Sequence, residues 1–214
     1  MSLVATGKVK RRDLELVGKY EKKLVEICKS MNIPDDVVEH AKSILHHVFL
    51  FHFDLVVTRL RISPNLVLGA IVELASNDLG FYFSTKAFCR RFGVAGGKMR
   101  KLVVRLSRAL GVPKDFEISR AVKYYARRLE LSYEEEFELR SIVERIDKEP
   151  HEYQRLLVAL VVFLKNRKGM THEEVAKVLN VTIKSIERYV KRAKTIYGFE
   201  ISNCHAEKRD RSKE

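Results

Sequence analysis

The sequence predicts an all-α protein made of two repeats of five helices, each repeat ending in a helix-turn-helix. Glycine and proline number only 10 and 4 in 214 residues, while 46% of the residues are hydrophobic. Such a composition has few helix breakers and enough apolar surface for a core. Apolar residues recur at helical spacing along most of the chain. In addition, residues 64–112 and 151–196 align with a constant shift of 87 positions (171 − 84).

The first repeat is predicted to span residues 13–112. Its first two helices, residues 13–31 and 35–52, are separated by a proline near a new helix start, Pro34. A buried helix at residues 64–80 is expected next. A short helix and a basic helix then form the helix-turn-helix of this repeat.

The second repeat is predicted to span residues 113–201, joined to the first near Pro113. Its first two helices are expected at 117–130 and 133–147, where Ser132 and Glu135 have the spacing of a capping box. A buried helix follows, and then the second helix-turn-helix. Residues 1–12 are interpreted as a basic N-terminal lead-in and residues 202–214 as a charged tail.

The clearest motif lies in the second repeat, at residues 170–191. Thr171 and Glu174 have capping-box spacing at the start of a short helix, and Asn180 suits the left-handed residue that ends it. Thr182 caps the next helix, which is apolar on one side and cationic on the other. A helix of this kind suits the DNA major groove.

Candidate DNA-binding residues in the second repeat lie on that cationic helix. Residues near its N-terminus are placed to reach base edges or nearby phosphates, whereas the later ones are placed to contact phosphates, which position a protein without reading sequence. The first group is Thr182, Lys184, Ser185 and Arg188. The second group is Lys191, Arg192 and Lys194.

The basic helix of the first repeat carries the other candidates. Its cationic residues have no acid between them, which favours neutralisation of a nucleic-acid backbone. The candidates are Lys98, Arg100, Lys101 and Arg105. A solvated helix face or an acidic protein partner are the alternatives.

The overall charge supports a polyanionic partner. The formal net charge is +13 and the pI about 9.7, which is typical of proteins that bind nucleic acid or an anionic membrane surface. Residues 1–112 hold 19 Lys and Arg against 10 Asp and Glu, and the remainder holds 22 against 18. The acidic stretch at residues 134–138 is expected to face away from DNA or toward a basic protein surface, unless it is simply a solvated helix face with favourable acids in its first turn.

Several other classes of function are disfavoured by the sequence. The three cysteines have no C-x-x-C spacing, which predicts free thiols in a reducing compartment and no zinc ribbon. His46, His47 and His52 share a helix, but no completing ligands accompany them, so no metal or cofactor is expected. No catalytic constellation, small-molecule site or apolar run of membrane-spanning length is found. The aromatic residues, such as Phe51 and Tyr82, fit core packing better than base stacking.

Two five-helix repeats that each end in a helix-turn-helix resemble the cyclin-fold core of transcription factor B. This archaeal protein is the counterpart of the eukaryotic general factor of similar name. The resemblance covers about Asp13 to Ile201, and its sharpest pieces are Thr171-His-Glu-Glu-Val-Ala and the helix that Val181-Thr182 opens. Met31-Asn-Ile-Pro34-Asp-Asp-Val37 is similar to the corresponding helix junction in the family's first repeat.

The resemblance implies a function and partners. The first repeat would face the TATA-binding protein on bent promoter DNA, and the second would place residues 182–191 in the major groove beside the TATA box. The protein would act in transcription initiation or its regulation, with RNA polymerase as a further partner. It would not be an enzyme. Separately from the resemblance, the sequence shows no signal-peptide core, so a cytoplasmic location is expected in an archaeon and a nuclear one in a eukaryote.

This sequence also departs from the family. The family carries an N-terminal zinc ribbon and linker that this chain lacks, so a core-only paralogue or a fragment is expected. Glu187 stands where the family usually has an arginine, and Ala95-Gly96-Gly97 opens the first basic helix instead of a Ser or Thr cap. Two alternatives remain: a cyclin-type protein-interaction scaffold without DNA binding, and a module resembling the final helix-turn-helix of bacterial sigma factors.

Overall fold

The computed structural model describes residues 11–201, apart from the side chains of residues 11–15, 57, 58, 61 and 62. These residues form eleven helices and no strand, which confirms the predicted all-α class. The charged tail lies outside the described residues, as does the lead-in except for residues 11 and 12.

The described residues divide into two compact units. Unit 1 comprises residues 11–79 and 83–115, and unit 2 comprises residues 80–82 and 116–201. The sequence predicts domains at 13–112 and 113–201, so the predicted boundary lies three residues before the observed one, which falls between residues 115 and 116. They also assign residues 80–82 to the other unit.

Unit 1 contains six helices, one more than expected. They are α1 (Arg11–Ser30), α2 (Asp35–Phe51), α3 (Phe53–Ile62), α4 (Pro64–Leu79), α5 (Thr85–Phe92) and α6 (Gly96–Leu110). The additional helix is α3, and only His52, with φ −137° and ψ 27°, separates it from α2. No glycine or proline marks this break, so the sequence contains no signal for a second helix there.

Unit 2 contains five helices. They are α7 (Ile118–Arg128), α8 (Tyr133–Arg145), α9 (Glu152–Asn166), α10 (His172–Leu179) and α11 (Ile183–Tyr197). The predicted capping box of α8 is present, because the Ser132 side chain accepts from the N–H of Glu135 and the Glu135 carboxylate accepts from the N–H of Ser132. The chain therefore restarts as a helix where this local motif indicates.

Each unit is built around one central helix. Helices α4 and α9 are apolar on nearly all sides and buried along most of their length, as expected for a helix surrounded by others. Helices α1, α2, α5 and α6 pack on α4, and α7, α8, α10 and α11 pack on α9. In both units, four helices thus pack around a central one, and unit 1 contains α3 in addition.

The last two helices of unit 1 begin and end at the positions that correspond to those of the last two helices of unit 2. The bounds of α10 and α11 equal those of α5 and α6 with 87 added (172 − 85 and 183 − 96). Met99 and Ile186, the fourth residues of α6 and α11, are both fully buried. The shift taken from the sequence therefore relates equivalent positions in the two helix-turn-helices.

The cores of the two units differ in how matched positions are filled. Gly69 on α4 leaves room for Phe88, because a Cβ there would lie 2.3 Å from the Phe88 ring. The positions 87 residues later hold Leu156 and Val175, both fully buried. A small and a large residue in unit 1 thus correspond to two of middle size in unit 2, as expected where the total core volume is kept.

One aromatic residue expected in the core lies at the surface. Phe51, the last residue of α2, is 66% exposed. Its ring contacts the imidazole of His47 one turn earlier, with centroids 4.8 Å apart. The prediction of core packing is therefore wrong for Phe51, because α2 ends with that side chain turned toward solvent.

Candidate nucleic-acid interface

The helix-turn-helix of unit 2 is fixed by local hydrogen bonds. Thr171 and Glu174 form a capping box at the start of α10. Asn180 ends the helix in the left-handed region, with φ 52° and ψ 45°. The Thr182 side chain then accepts from the N–H of Ser185 (3.2 Å) and opens α11. Short side chains that satisfy free N–H groups therefore set where both helices begin.

The turn in unit 1 uses the same positions with different residues. Ser84 caps α5 by accepting from the N–H of Ala87, and Gly93 ends the helix with φ 64°. Ala95 precedes α6 without any side-chain cap. Because an N-terminal cap stabilises a helix by about 1 kcal/mol, the start of α6 is held less firmly than that of α11.

The cationic side of α11 is exposed and carries one acid, Glu187. Lys184, Arg188 and Lys191 follow at i, i+4 and i+7, which places them on one face of the helix. All three are exposed, and none forms an ion pair with another residue in the range 11–201. Lys194 continues this face one turn later and is also exposed. We call Lys184, Arg188, Lys191 and Lys194 the α11 stripe.

Arg188 has additional contacts within its own helix. Its guanidinium lies 5.2 Å from the centroid of the Tyr189 ring. Burial raises the pKa of Tyr189, whereas a hydrogen bond with Arg188 lowers it. These contacts hold the side chain of Arg188 near Tyr189, and Arg188 remains exposed.

The two hydroxyl candidates are engaged in the cap of α11. Thr182 is exposed and Ser185 is half-buried. Their oxygen atoms lie 3.0 Å apart in a mutual hydrogen bond, in addition to the cap itself. Both hydroxyls therefore stabilise the end of α11 that enters the major groove in a typical helix-turn-helix complex.

Arg192 differs from the other candidates because it is bound inside the unit. Its Nε and Nη2 donate to Oε1 and Oε2 of Glu149, at 2.8 and 2.9 Å. The Glu149 side chain is only 1% exposed, and the Tyr197 hydroxyl donates to it as well (3.3 Å). This hydrogen bonding raises the pKa of Arg192. We therefore do not assign Arg192 to a phosphate, contrary to the prediction, because its donors already have a carboxylate partner.

Three of the four candidates on α6 share a face. Lys98, Lys101 and Arg105 follow at i, i+3 and i+7, and all are exposed. None of them forms an ion pair with another described residue. Arg105 occupies the position equivalent to Arg192, but the position equivalent to Glu149 holds Ile62. The arginine of unit 1 thus has no counterpart to the carboxylate that binds Arg192.

Arg100 lies on another side of α6, near a partly buried carboxylate. Burial raises the pKa of Glu73, while a hydrogen bond from Thr85 and the charge of Arg100 lower it. Arg100 is exposed, but it faces differently from Lys98 and Lys101. The positive charge of Arg100 therefore stabilises the charged form of Glu73.

The acidic stretch of α8 is largely paired with basic residues of unit 2. Lys168 donates to Glu135 (2.5 Å) and lowers its pKa. Arg140 binds Glu136 one turn away, and Arg167 lies 3.7 Å from Glu138. These pairs reduce the local negative charge, and the exposed pair of Arg167 and Glu138 is worth little in stability.

Other kinds of site find little support in the described residues. Within 11–201, no group of three His, Cys, Asp or Glu residues is arranged to hold a metal ion. Cys28 and Cys89 are free thiols, and Cys204 lies outside the described range. None of the helices in that range is both long and apolar enough to span a bilayer. No protein-family model and no curated protein sequence matches this chain.

Proposed function

We propose that this chain binds double-stranded DNA, with α11 in the major groove. The observation that carries the proposal is the α11 stripe: exposed cations on the second helix of a helix-turn-helix whose opposite side is buried. Each cation that contacts a phosphate releases counterions, so several such residues together supply both affinity and salt dependence. The exposed face of α6 adds Lys98, Lys101 and Arg105 as further phosphate contacts.

The biological role we propose follows the resemblance to the core of transcription factor B. The chain would act at promoters in transcription initiation or its regulation, with the TATA-binding protein and RNA polymerase as partners. Two helix-turn-helices with matched bounds and a net positive charge support this proposal. Arg188 is proposed to read a base edge, because residues near the start of a recognition helix contact bases.

The test is DNA binding over a salt series, with and without the TATA-binding protein. In the variant Arg188→Ala/Lys191→Ala we expect weaker binding from the lost base contact of Arg188. We also expect the slope of log Kd against log salt to fall by about 1, for the phosphate that Lys191 no longer neutralises. Fluorescence anisotropy with a labelled duplex measures both the affinity and the slope.

A matched control removes the same charge elsewhere in unit 2. Lys123 and Arg127 are exposed and one turn apart on α7. Lys123→Ala/Arg127→Ala should leave the slope within about 0.5 of the parent value if the stripe is the contact surface. Equal losses in both variants would show that only the overall charge matters and would contradict the proposed docking of α11.

A second candidate function is a protein-interaction scaffold that does not bind DNA. It is favoured by α8, where Tyr133 and Phe137 are 85% and 66% exposed and lie one turn apart. Large exposed apolar residues with acidic neighbours such as Glu134 suit a partner with a basic, partly apolar surface. The absence of any salt-dependent DNA binding in the experiment above would favour this function.

A further inference from the structure

Three aromatic rings form a stack within unit 2. The ring centroids of Tyr82 and Tyr153 lie 5.0 Å apart with an interplanar angle of 15°. Those of Tyr153 and His151 lie 5.4 Å apart at 10°. All three residues belong to unit 2, because residues 80–82 are part of it. We call Tyr82, Tyr153 and His151 the ring ladder.

The ring ladder begins partly buried and ends at the surface. Tyr82 and Tyr153 are half-buried and His151 is exposed. Near-parallel rings with centroids about 5 Å apart form one of the two preferred aromatic arrangements, and Phe81 and Tyr124, at 65°, show the other. Three nearly parallel rings that end in an exposed one resemble a platform on which another flat ring can stack.

The end residue of the ladder has no structural task that explains its ring. His151 precedes α9 as its N-cap, but its side chain makes no capping hydrogen bond. Among the described residues, its ring stacks on Tyr153 alone. The opposite face of the imidazole is therefore the natural place for one more ring.

Unit 2 also carries an exposed cation, Arg188, next to a tyrosine that interacts electrostatically with Tyr153. Burial raises the pKa of Tyr189, and its electrostatic interaction with Tyr153 raises it further. Arg188 lies over the Tyr189 ring and is exposed. An aromatic stacking surface and exposed cations in one unit are the two features that sites for single-stranded nucleic acids combine, the first for the base and the second for the phosphate.

We propose that the ring ladder binds an unpaired base of a single-stranded nucleic acid on the outer face of His151. Every base has a π face, so such a site tolerates different sequences. The site differs from the proposed duplex contact, because a paired base inside a helix cannot stack on a protein ring. Binding of a single strand therefore does not depend on α11 entering a major groove.

The experiment compares two oligonucleotides that differ only in their bases. One probe is a fluorescein-labelled thymidine 12-mer, and the other has the same backbone with abasic sites throughout. We expect the protein to bind the first at least about five-fold more tightly, since base stacking on aromatic residues contributes at this level. A uridine 12-mer distinguishes RNA from DNA as the natural source of the base.

Variants of His151 test the residue directly. His151→Ala should remove the preference for the probe with bases, and His151→Phe should keep it, since phenylalanine retains a flat ring. His47→Ala is the matched control, because His47 is an exposed histidine that also contacts an aromatic ring but lies in unit 1. His151→Ala should leave the affinity for duplex DNA unchanged, which separates this proposal from the proposed function.

The proposal is overturned by any of three results. These are equal affinity for the two probes, an unchanged preference in His151→Ala, and the absence of binding to both the thymidine and the uridine probe at roughly 50–100 mM salt, ordinary conditions for such measurements. Loss of duplex binding alone would contradict the proposed function and leave the ladder supported.

Discussion

Replacing Arg192 with alanine is expected to lower the free energy of unfolding of unit 2 by roughly 2–4 kcal/mol. The guanidinium is the only described cation that pairs with Glu149, whose side chain is 1% exposed. Removing it leaves a buried carboxylate without a charged partner, with the Tyr197 hydroxyl still donating to it, and this costs more than the pair itself contributes. Because the Arg192 side chain is 38% exposed, water can enter after truncation and moderates the loss.

Urea unfolding followed by circular dichroism measures this change, and hydrogen exchange of peptides from α9 and α11 locates it in unit 2. Glu149→Gln keeps the shape of the side chain and removes its charge, so the double variant with Arg192→Ala should be less destabilised than the sum of the single variants. Additive losses would mean that the two side chains do not stabilise the fold through each other.

The neighbouring residue provides the control. Lys191 is exposed and forms no ion pair with any residue in 11–201, so Lys191→Ala should change stability by no more than about 0.5 kcal/mol. The proposed function gives these adjacent residues opposite roles, with Lys191 on DNA and Arg192 in the fold. If Arg192→Ala left stability unchanged and weakened DNA binding as Lys191→Ala does, the role we assign to Glu149 would be wrong.

The helix ends at α10 and α11 could be predicted closely because their signals are local. A capping box spans four residues, and the left-handed Asn180 with the cap at Thr182 marks the turn between two helices. Each of these interactions depends on residues a few positions apart, which a sequence displays directly. The same reasoning explains why the helix start at Ser132 could be predicted.

The features that the sequence does not reveal depend on contacts between distant residues. Glu149 lies 43 positions before Arg192, so the charge pattern of α11 could not show which of its arginines is bound. Likewise, Tyr82 and Tyr153 meet only after unit 2 has folded, and neither has a motif that predicts stacking. The break at His52 could not be predicted for a different reason: it lies in an uninterrupted helical pattern without glycine or proline.

Replacing Gly80 with alanine is expected to destabilise unit 2 by about 3 kcal/mol or more, from two causes. Gly80 has φ +88°, where a residue with a Cβ is strained. A Cβ at this position would also lie 2.6 Å from the backbone nitrogen of Ala121 and 2.7 Å from its Cα. A backbone, unlike the end of a flexible side chain, cannot turn aside, so α7 would have to move.

Gly198→Ala separates the two causes within the same unit. Gly198 ends α11 with φ 67°, but a Cβ there would meet nothing within 4 Å. We expect this variant to lose only the conformational contribution, about 1 kcal/mol. The difference between the two variants in urea unfolding then measures the close approach of Gly80 to α7. If both lost the same amount, the contact with Ala121 would not constrain the fold, and backbone conformation alone would explain the glycine at position 80.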